Sequence, residues 1–270
     1  MDTHASGRSR PPAAVPGDLL IRTAQIAAGW LQSLDRRPVA ASATVGELRS
    51  RLGGPLPRGP ADPLAVVEEL ACAAEPGLVA IPSGRYFGFV IGGGLPAAVA
   101  ADWLTSVWDQ CPGFYACGPA ASVAEEVAGG WLRQLLGLPE HASFAFVTGC
   151  QMAHITCLAA ARHHVLHAVG WDVEELGLSG SPPIRVLVGA RRHVSVDRAL
   201  RFLGIGRASL RVVPADGAGR IQVRRLREEL AAGGGPAIIC ATASNSGEKA
   251  NRIRATSSGV SLHSITDHTF

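Results

Sequence analysis

The stretch that decides the fold is FAFVTGCQMA, residues 144–153, in which a short apolar run precedes a glycine and a helix-forming segment. The apolar run at 144–147 predicts a buried strand, and residues 151–169 carry an alanine-rich pattern typical of a helix. A strand that turns through Gly149 into a helix is the repeating unit of a parallel sheet.

The same alternation continues toward the C-terminus. Short apolar runs predict further strands, and amphipathic patterns between them predict helices, with strands at 184–188, 210–213 and 237–240 and helices at 194–203 and 223–230. Apolar strands that alternate with helices are typical of a mainly parallel sheet with helices on both faces. We therefore expect an α/β fold.

The first part of the chain predicts helices instead. One helix begins near Asp18 and has an apolar stripe through residue 34. A second begins at Asp62-Pro63, where an N-cap acceptor precedes a proline in the first turn. A Gly/Pro-rich link at 53–63 joins them. Neither helix can bury its apolar face alone, which indicates an arm that packs against another surface.

Between this arm and the sheet, the apolar run at 85–91 reads as extended and is followed by a glycine turn. Helices are expected at 95–109 and 119–136, the latter closed by Gly137. These patterns divide the chain into four segments: a start without regular structure at 1–16, a helical arm at 17–82, a sheet-forming region at 83–245 and a divergent tail at 246–270. We do not expect the tail to belong to the fold.

Composition excludes several classes of function. The net charge is +3 and the basic residues are scattered among acidic ones, which argues against nucleic acid as a partner. The six cysteines form no CxxC pair, which is typical of a reducing cytoplasm. No apolar run is long enough to cross a membrane, and no apolar signal segment follows the polar start, so we expect no membrane partner.

The predicted strand ends carry the candidate site, because ligands of parallel sheets collect there. At the first strand end, Gly149 allows the backbone to approach a ligand closely, and the main-chain amides of Cys150 and Gln151 suit a phosphate. An ordinary turn that binds no ligand has the same sequence pattern. At the second, His193 suits ring stacking or proton transfer, or simply caps the next helix. At the third, Thr242 adds a hydroxyl.

Together these loops resemble the group II pyridoxal-phosphate-dependent amino-acid decarboxylases, the family of aromatic amino-acid and glutamate decarboxylases. The resemblance covers about residues 83–245, in the order and spacing of several motifs: Arg85-Tyr86-Phe87-Gly88-Phe89 before the glycine turn, Leu95-Pro96-Ala97, Ala101-Asp102-Trp103, Val123 and Glu125-Glu126 before Trp131-Leu132, Thr148-Gly149 with Met152-Ala153, and His193-Val194-Ser195-Val196 with Ala199-Leu200.

The resemblance implies an incomplete large domain of the aspartate aminotransferase type (fold type I), preceded by a helical dimerisation arm. It implies that pyridoxal 5'-phosphate is the cofactor, that an amino acid is the substrate and that the complete protein is a homodimer. In this scheme Gly149, Cys150 and Gln151 hold the phosphate, His193 stacks on the pyridine ring, and Thr242 lies near the polar edge of the ring.

The departures from the family concern the catalytic lysine and the aspartate that keeps the pyridine nitrogen protonated. In the family both follow the last strand identified above. The single lysine here, Lys249, lies only four residues beyond Asn245 and has no histidine beside it, and Asp267-His268 is followed by no lysine. We therefore expect a C-terminally truncated or frame-disrupted decarboxylase, without a catalytic lysine and inactive alone.

Three other interpretations stay open. A strand, a glycine turn and a helix at residues 90–95 suggest a nucleotide cofactor, although a G-x-G-x-x-G motif is missing. Cys150, His154 and Cys157, or His163 and His167, have the spacing of helical metal ligands, but buried thiols and dipole-facing histidines explain them better, so no metal is expected. A non-catalytic interaction protein that pairs with a full-length relative is the third.

Overall fold

The computed structural model describes residues 16–89, 91, 93–242 and 260–265, with the backbone alone for Thr242 and for 260–265. The chain forms two compact units, which meet in the sequence between Trp108 and Asp109. The predicted boundary after residue 82 therefore lies earlier in the chain than the division between these units, and the four-segment organisation stays a prediction.

The described part of the first unit is helical. Its α-helices are α1 (Gly17–Gln32), α2 (Val45–Leu52), α3 (Pro63–Ala74) and α4 (Pro96–Trp108). Asp62 caps α3, since its carboxylate accepts a hydrogen bond from the Ala65 amide at 2.9 Å. The sequence did not predict α2, which begins with a reciprocal capping box between Thr44 and Glu47.

Polar contacts join the helices of this unit. Arg22 of α1 forms an ion pair with Glu68 of α3 at 2.6 Å. The Arg85 guanidinium donates to the main-chain carbonyls of Leu34 and Arg37, at 2.6 Å each. Residues 85–89 and 91 form turns and irregular backbone, so this part of the predicted extended run does not become a strand.

The second unit contains the sheet. Its α-helices are α5 (Pro119–Leu136), α6 (Cys150–His167), α7 (Val173–Leu176), α8 (Val194–Phe202) and α9 (Val223–Ala231), and its strands are β1 (Arg185–Gly189), β2 (Leu210–Val213), β3 (Ala237–Thr242) and β4 (Val260–Ile265). The strand order is β2-β1-β3-β4, and all three pairings are parallel. This confirms the predicted α/β class.

Side chains alternate between the two faces of the sheet. Val186, Val188 and Ile238 point to one face, where they form a buried core with α6 and α8. Leu187 and Ile239 point to the other, where Leu226 and Leu230 of α9 pack against their cluster. The sheet is therefore covered on both faces, as the continuous apolar strands predicted.

The strand predicted at 144–147 is wrong, because these residues have irregular backbone. A strand requires a neighbouring strand for its hydrogen bonds. Here Phe144 packs instead against α5, where a Cβ added to Gly129 would lie only 2.1 Å from the Phe144 ring. Phe146 contacts the Phe144 ring edge-on, with 6.0 Å between centroids. Within this run, Phe144 is thus the residue that packs against a helix, while Phe146 and Val147 are exposed.

The tail contributes one strand that the sequence did not predict. The backbone of β4 pairs in parallel with β3, with Val260 opposite Ala237 and Ile265 opposite Thr242. Six residues of the segment expected to lie outside the fold therefore extend the sheet, while Lys249 and Asp267 lie outside the described residues. Among the helices that the structure describes, none combines the length and apolarity needed to span a membrane.

Candidate functional site

The first part of the candidate site is the start of α6. Gly149 precedes the helix with φ 153° and ψ 175°, a conformation that side-chain-bearing residues rarely adopt. No side chain caps this end of the helix, and the space around the Gly149 Cα is open, with nothing within 4 Å of an added Cβ. The first-turn N–H groups of α6 therefore have no side-chain cap, which is the arrangement that an anion can use at a helix start.

The second part is the start of α8, where His193 is the N-cap residue. Its ring nitrogen Nδ1 accepts a hydrogen bond from the Ser195 amide at 3.2 Å and lies 2.7 Å from the Ser195 hydroxyl. The capping role that sequence reasoning kept as an alternative is thus present. The His193 side chain is nevertheless exposed, so capping leaves the rest of the ring free for a ligand.

One side chain brings these two helix starts together. The Gln151 Nε2 donates to the main-chain carbonyl of Ser195 at 3.1 Å, across 44 positions of the sequence. At the other end of the same helices, the Arg162 guanidinium donates to the carbonyl of Leu203 at 3.1 Å. The helices α6 and α8 therefore run side by side in the same direction, with both N-terminal ends at the same edge of the sheet.

The arginine next to His193 is engaged in an ion pair. Arg192 makes a bidentate ion pair with Asp197, through Nε at 2.8 Å and a terminal nitrogen at 3.2 Å. This pair links the loop after β1 to the first turn of α8 and engages the Arg192 guanidinium.

The third predicted site residue, Thr242, is the last residue of β3, and its side chain lies outside the described residues. Two positions earlier, Cys240 points into the core formed with α6 and α8. Burial raises the pKa of the Cys240 thiol to about 12. This thiol is therefore a neutral core group and no nucleophile.

The alternative sites do not assemble among the described residues. His154 is buried whereas Cys150 is exposed, and the described part of the chain contains no group of three or more side chains placed to hold a metal ion. His163 and His167 stack with ring centroids 5.9 Å apart. In the glycine turn of the nucleotide interpretation, residues 90 and 92 lie outside the described part, and residues 91 and 93–95 have irregular backbone.

Sequence reasoning named Gln151 as a site residue but missed the contact by which it connects the two parts of the site. Ser195 and Gln151 stood in quoted motifs, but their contact depends on how two helices pack. His154 was considered as a metal ligand, yet it is buried and its Nδ1 has no hydrogen-bond partner among the described residues. The sequence signal for His154 is its place between apolar residues of the helix, because a buried polar side chain normally needs a hydrogen-bond partner.

Solved structures with the same architecture define the class of fold. A mouse structure titled CSAD matches 83% of this chain and 47% of its own length with a TM-score of 0.74, at 23% identity. Rice TDC, solved with pyridoxal phosphate and tryptamine, matches 86% of this chain and 52% of its own, with a TM-score of 0.75 at 23% identity. The fold is thus that of the fold type I pyridoxal-phosphate enzymes.

Curated relatives show the same similarity at the level of sequence. The aromatic-L-amino-acid decarboxylase of Bacillus atrophaeus is 28% identical over 200 residues, which are 74% of this chain and 39% of the relative. The L-2,4-diaminobutyrate decarboxylase of Rhizobium meliloti is 32% identical over 152 residues, 54% of this chain and 28% of the relative. No family model matches. The chain is thus similar to pyridoxal-phosphate-dependent amino-acid decarboxylases of group II, and it spans less than half the length of these relatives.

Proposed function

We propose that these residues supply the phosphate-binding and ring-stacking half of the active site of a pyridoxal-phosphate-dependent amino-acid decarboxylase. One observation carries the proposal: the hydrogen bond from Gln151 to the Ser195 carbonyl holds the uncapped start of α6 beside the loop of His193. A phosphate and an aromatic ring of one ligand need these two elements at neighbouring positions.

The donor set suits the cofactor. The start of α6 offers main-chain N–H groups without a side-chain cap, which a phosphate dianion can use. His193 offers an exposed aromatic ring. Cys150 and Gln151 bring no hydroxyl, and the Gln151 amide is turned to Ser195, so in this chain phosphate binding rests on the main chain.

Each residue then has a defined role. The amides of Cys150 and Gln151 bind the phosphate, Gly149 keeps the approach open, and His193 stacks on the pyridine ring and excludes water from that face. The resemblance assigns Thr242 to the polar edge of the ring. When bound, pyridoxal phosphate supplies an electron sink for the carbanion left by loss of carbon dioxide.

We further propose that these 270 residues do not decarboxylate amino acids alone. Their single lysine, Lys249, has no neighbouring histidine and does not match the catalytic lysine of the family. Addition of aromatic amino acids, acidic amino acids or L-2,4-diaminobutyrate, which are substrates named among the relatives, is therefore expected to release no carbon dioxide. Release of carbon dioxide that a Lys249→Arg variant abolishes would show that Lys249 is catalytic after all.

The complete protein is proposed to be a cytoplasmic homodimer. All six cysteines are free, as expected in a reducing compartment. Large apolar side chains such as Trp103 of α4 and Trp131 and Leu135 of α5 are exposed, and exposed apolar surface favours association.

The same exposed apolar surface supports the second candidate function, a non-catalytic partner of a full-length relative. Light scattering after size-exclusion chromatography, with and without such a relative, distinguishes the two, and a stable monomer in both would contradict them.

Pyridoxamine 5'-phosphate is the sharpest probe of the proposed site. It carries the ring and the phosphate but, being an amine, it forms no imine with Lys249 or the N-terminus. Fluorescence titration of the 270-residue chain is expected to show saturable binding, which weakens when pyridoxamine without phosphate is used. His193→Leu is expected to weaken binding of both compounds, since it removes the stacked ring.

The control for the phosphate site is inorganic phosphate, which should compete with pyridoxamine 5'-phosphate but only weakly with pyridoxamine. A matched control for His193 is His141→Leu, since His141 is also exposed and lies outside the proposed site. Equal affinity for the two pyridoxamine compounds, or equal losses in both histidine variants, would contradict the proposed function.

A further inference from the structure

We infer that Gln151 and Ser195 are positioning residues that hold the His193 imidazole in the tautomer with its proton on Nε2. This inference rests on the proposed function for its consequence, which is that the ring is presented to the cofactor in one orientation and one hydrogen-bonding state. The tautomer itself follows from the hydrogen bonds of the chain alone.

The Ser195 main chain determines the tautomer. A main-chain N–H can only donate, so the Ser195 amide, 3.2 Å from the His193 Nδ1, requires an unprotonated Nδ1. The Ser195 hydroxyl lies 2.7 Å from the same nitrogen, and once Nδ1 is unprotonated this hydroxyl is in place to donate to it as well. A neutral imidazole with Nδ1 occupied as an acceptor carries its proton on Nε2.

Gln151 fixes the position of Ser195. Its Nε2 donates to the Ser195 carbonyl, so the start of α6 restrains the turn of α8 that supplies both donors to His193. Ser195 is 5% exposed, which protects its amide and hydroxyl from competing water. The second tie between these helices, from Arg162 to Leu203, limits their sliding and keeps this geometry in place.

The ring thereby keeps a single donor for a ligand, the Nε2–H group, and an uncommitted aromatic face. Loss of Gln151 removes one neutral hydrogen bond, an interaction that changes an equilibrium by about 2- to 12-fold. We expect pyridoxamine 5'-phosphate to bind that much more weakly to Gln151→Leu, although position 151 would keep the main-chain amide that contacts phosphate.

The experiment is nitrogen-15 NMR of the histidine side chains in the full chain without ligand, with His193 assigned through His193→Gln. The wild type is expected to show a proton on Nε2 and a bare Nδ1. Gln151→Leu is expected to add the other tautomer, whereas Ser195→Ala and Ser195→Thr, which both keep the main-chain N–H donor, are expected to keep the wild-type tautomer. Circular dichroism of each variant checks that it folds.

Gln222→Leu is the matched control, because Gln222 also donates from Nε2 to a main-chain carbonyl, that of Ala215, at 3.1 Å. It should alter neither the His193 spectrum nor the affinity for pyridoxamine 5'-phosphate. A wild-type ring protonated on Nδ1, or a Gln151→Leu spectrum and affinity equal to those of wild type, would overturn the inference. If His193 carries its proton on Nε2 but the chain does not bind pyridoxamine 5'-phosphate, the inference is supported and the proposed function is contradicted.

Discussion

Two helices of equal length in the second unit differ in how much of their surface is buried. Both α5 and α6 have 18 residues, and the sequence predicted each of them nearly to the residue. Five residues of α6 are buried, including Leu158 and Val165, whereas Gly129 alone is buried in α5. The difference is that α6 packs on the sheet together with α8. A neighbouring surface, and not the helical pattern itself, decides how much a helix stabilises the fold.

The largest expected effect separates the two helices directly. Leu158 of α6 is fully buried, whereas Leu135 of α5 is 80% exposed. Leu158→Ala should lower the free energy of unfolding by about 2–5 kcal/mol, because it removes buried methyl groups and leaves a cavity. Leu135→Ala should change it by less than about 0.5 kcal/mol.

Urea unfolding followed by circular dichroism measures both variants of this pair. Similar losses for the two leucines would mean that the apolar face of α5 is covered in solution, for example by a second copy of the chain. Repeating the measurement over a range of protein concentrations would then reveal the association.

The next effect concerns the one buried residue of α5. A Cβ at position 129 would meet the Phe144 ring at 2.1 Å, and α5 or the segment of Phe144 would have to move. Gly129→Ala should therefore cost about 1–3 kcal/mol as overpacking, although alanine is the better helix former. Gly130 has nothing within 4 Å of an added Cβ, so Gly130→Ala is the matched control and should be neutral or stabilising.

The core beneath α6 gives a pH-dependent prediction. Burial raises the pKa of the Cys240 thiol from 9.0 to about 12, so the folded state disfavours the thiolate. Its contribution to stability is fully present below about pH 9 and is lost as the pH rises toward about 12. At about pH 10.5 the loss should be about 2 kcal/mol.

Cys240→Ala should remove this alkaline loss, whereas Cys150→Ala, at an exposed position, should retain it. Urea midpoints at pH values on either side of the thiol range provide the measurement. If the urea midpoints of wild type and Cys240→Ala fell equally with rising pH, the Cys240 thiol would not be buried in solution.

The smallest effect lies at the end of α5. Gly137 closes this helix in the left-handed conformation, with φ 62°, whereas α6 ends at Ala168 in the right-handed region. Gly137→Ala should cost about 1 kcal/mol, because a Cβ disfavours positive φ. Ala168→Gly should cost less than that, and the order of the two thermal midpoints checks the assignment of the helix ends.

The same contrast explains what the sequence could and could not predict. Strands β1, β2 and β3 followed from buried apolar runs, and the helices followed from periodicity and caps such as Asp62. The run at 144–147 looked like a strand because apolar runs alone do not distinguish pairing from packing against a helix. The strand β4 was missed, since its residues lack the apolar character of the others.

For the candidate site, local patterns located Gly149, Cys150 and Gln151 at the start of a helix and His193 in the loop after β1, although the strand expected before Gly149 is absent. Whether these residues bind the cofactor stays a prediction. The bond between Gln151 and Ser195 could not be predicted, because it depends on the packing of two helices that are 44 positions apart in the sequence. The tautomer of His193 follows from that packing and was equally inaccessible.

The parallel arrangement of α6 and α8 also has an electrostatic consequence. Each helix carries a macrodipole with its positive end at the N-terminus, and here both positive ends lie at the same edge of the sheet. Their fields add where the two helices begin, while the Arg192–Asp197 pair contributes no net charge nearby. Oriented peptide groups should therefore contribute to the attraction of an anion to this edge, and because the helix starts are open to solvent, added salt will weaken that attraction.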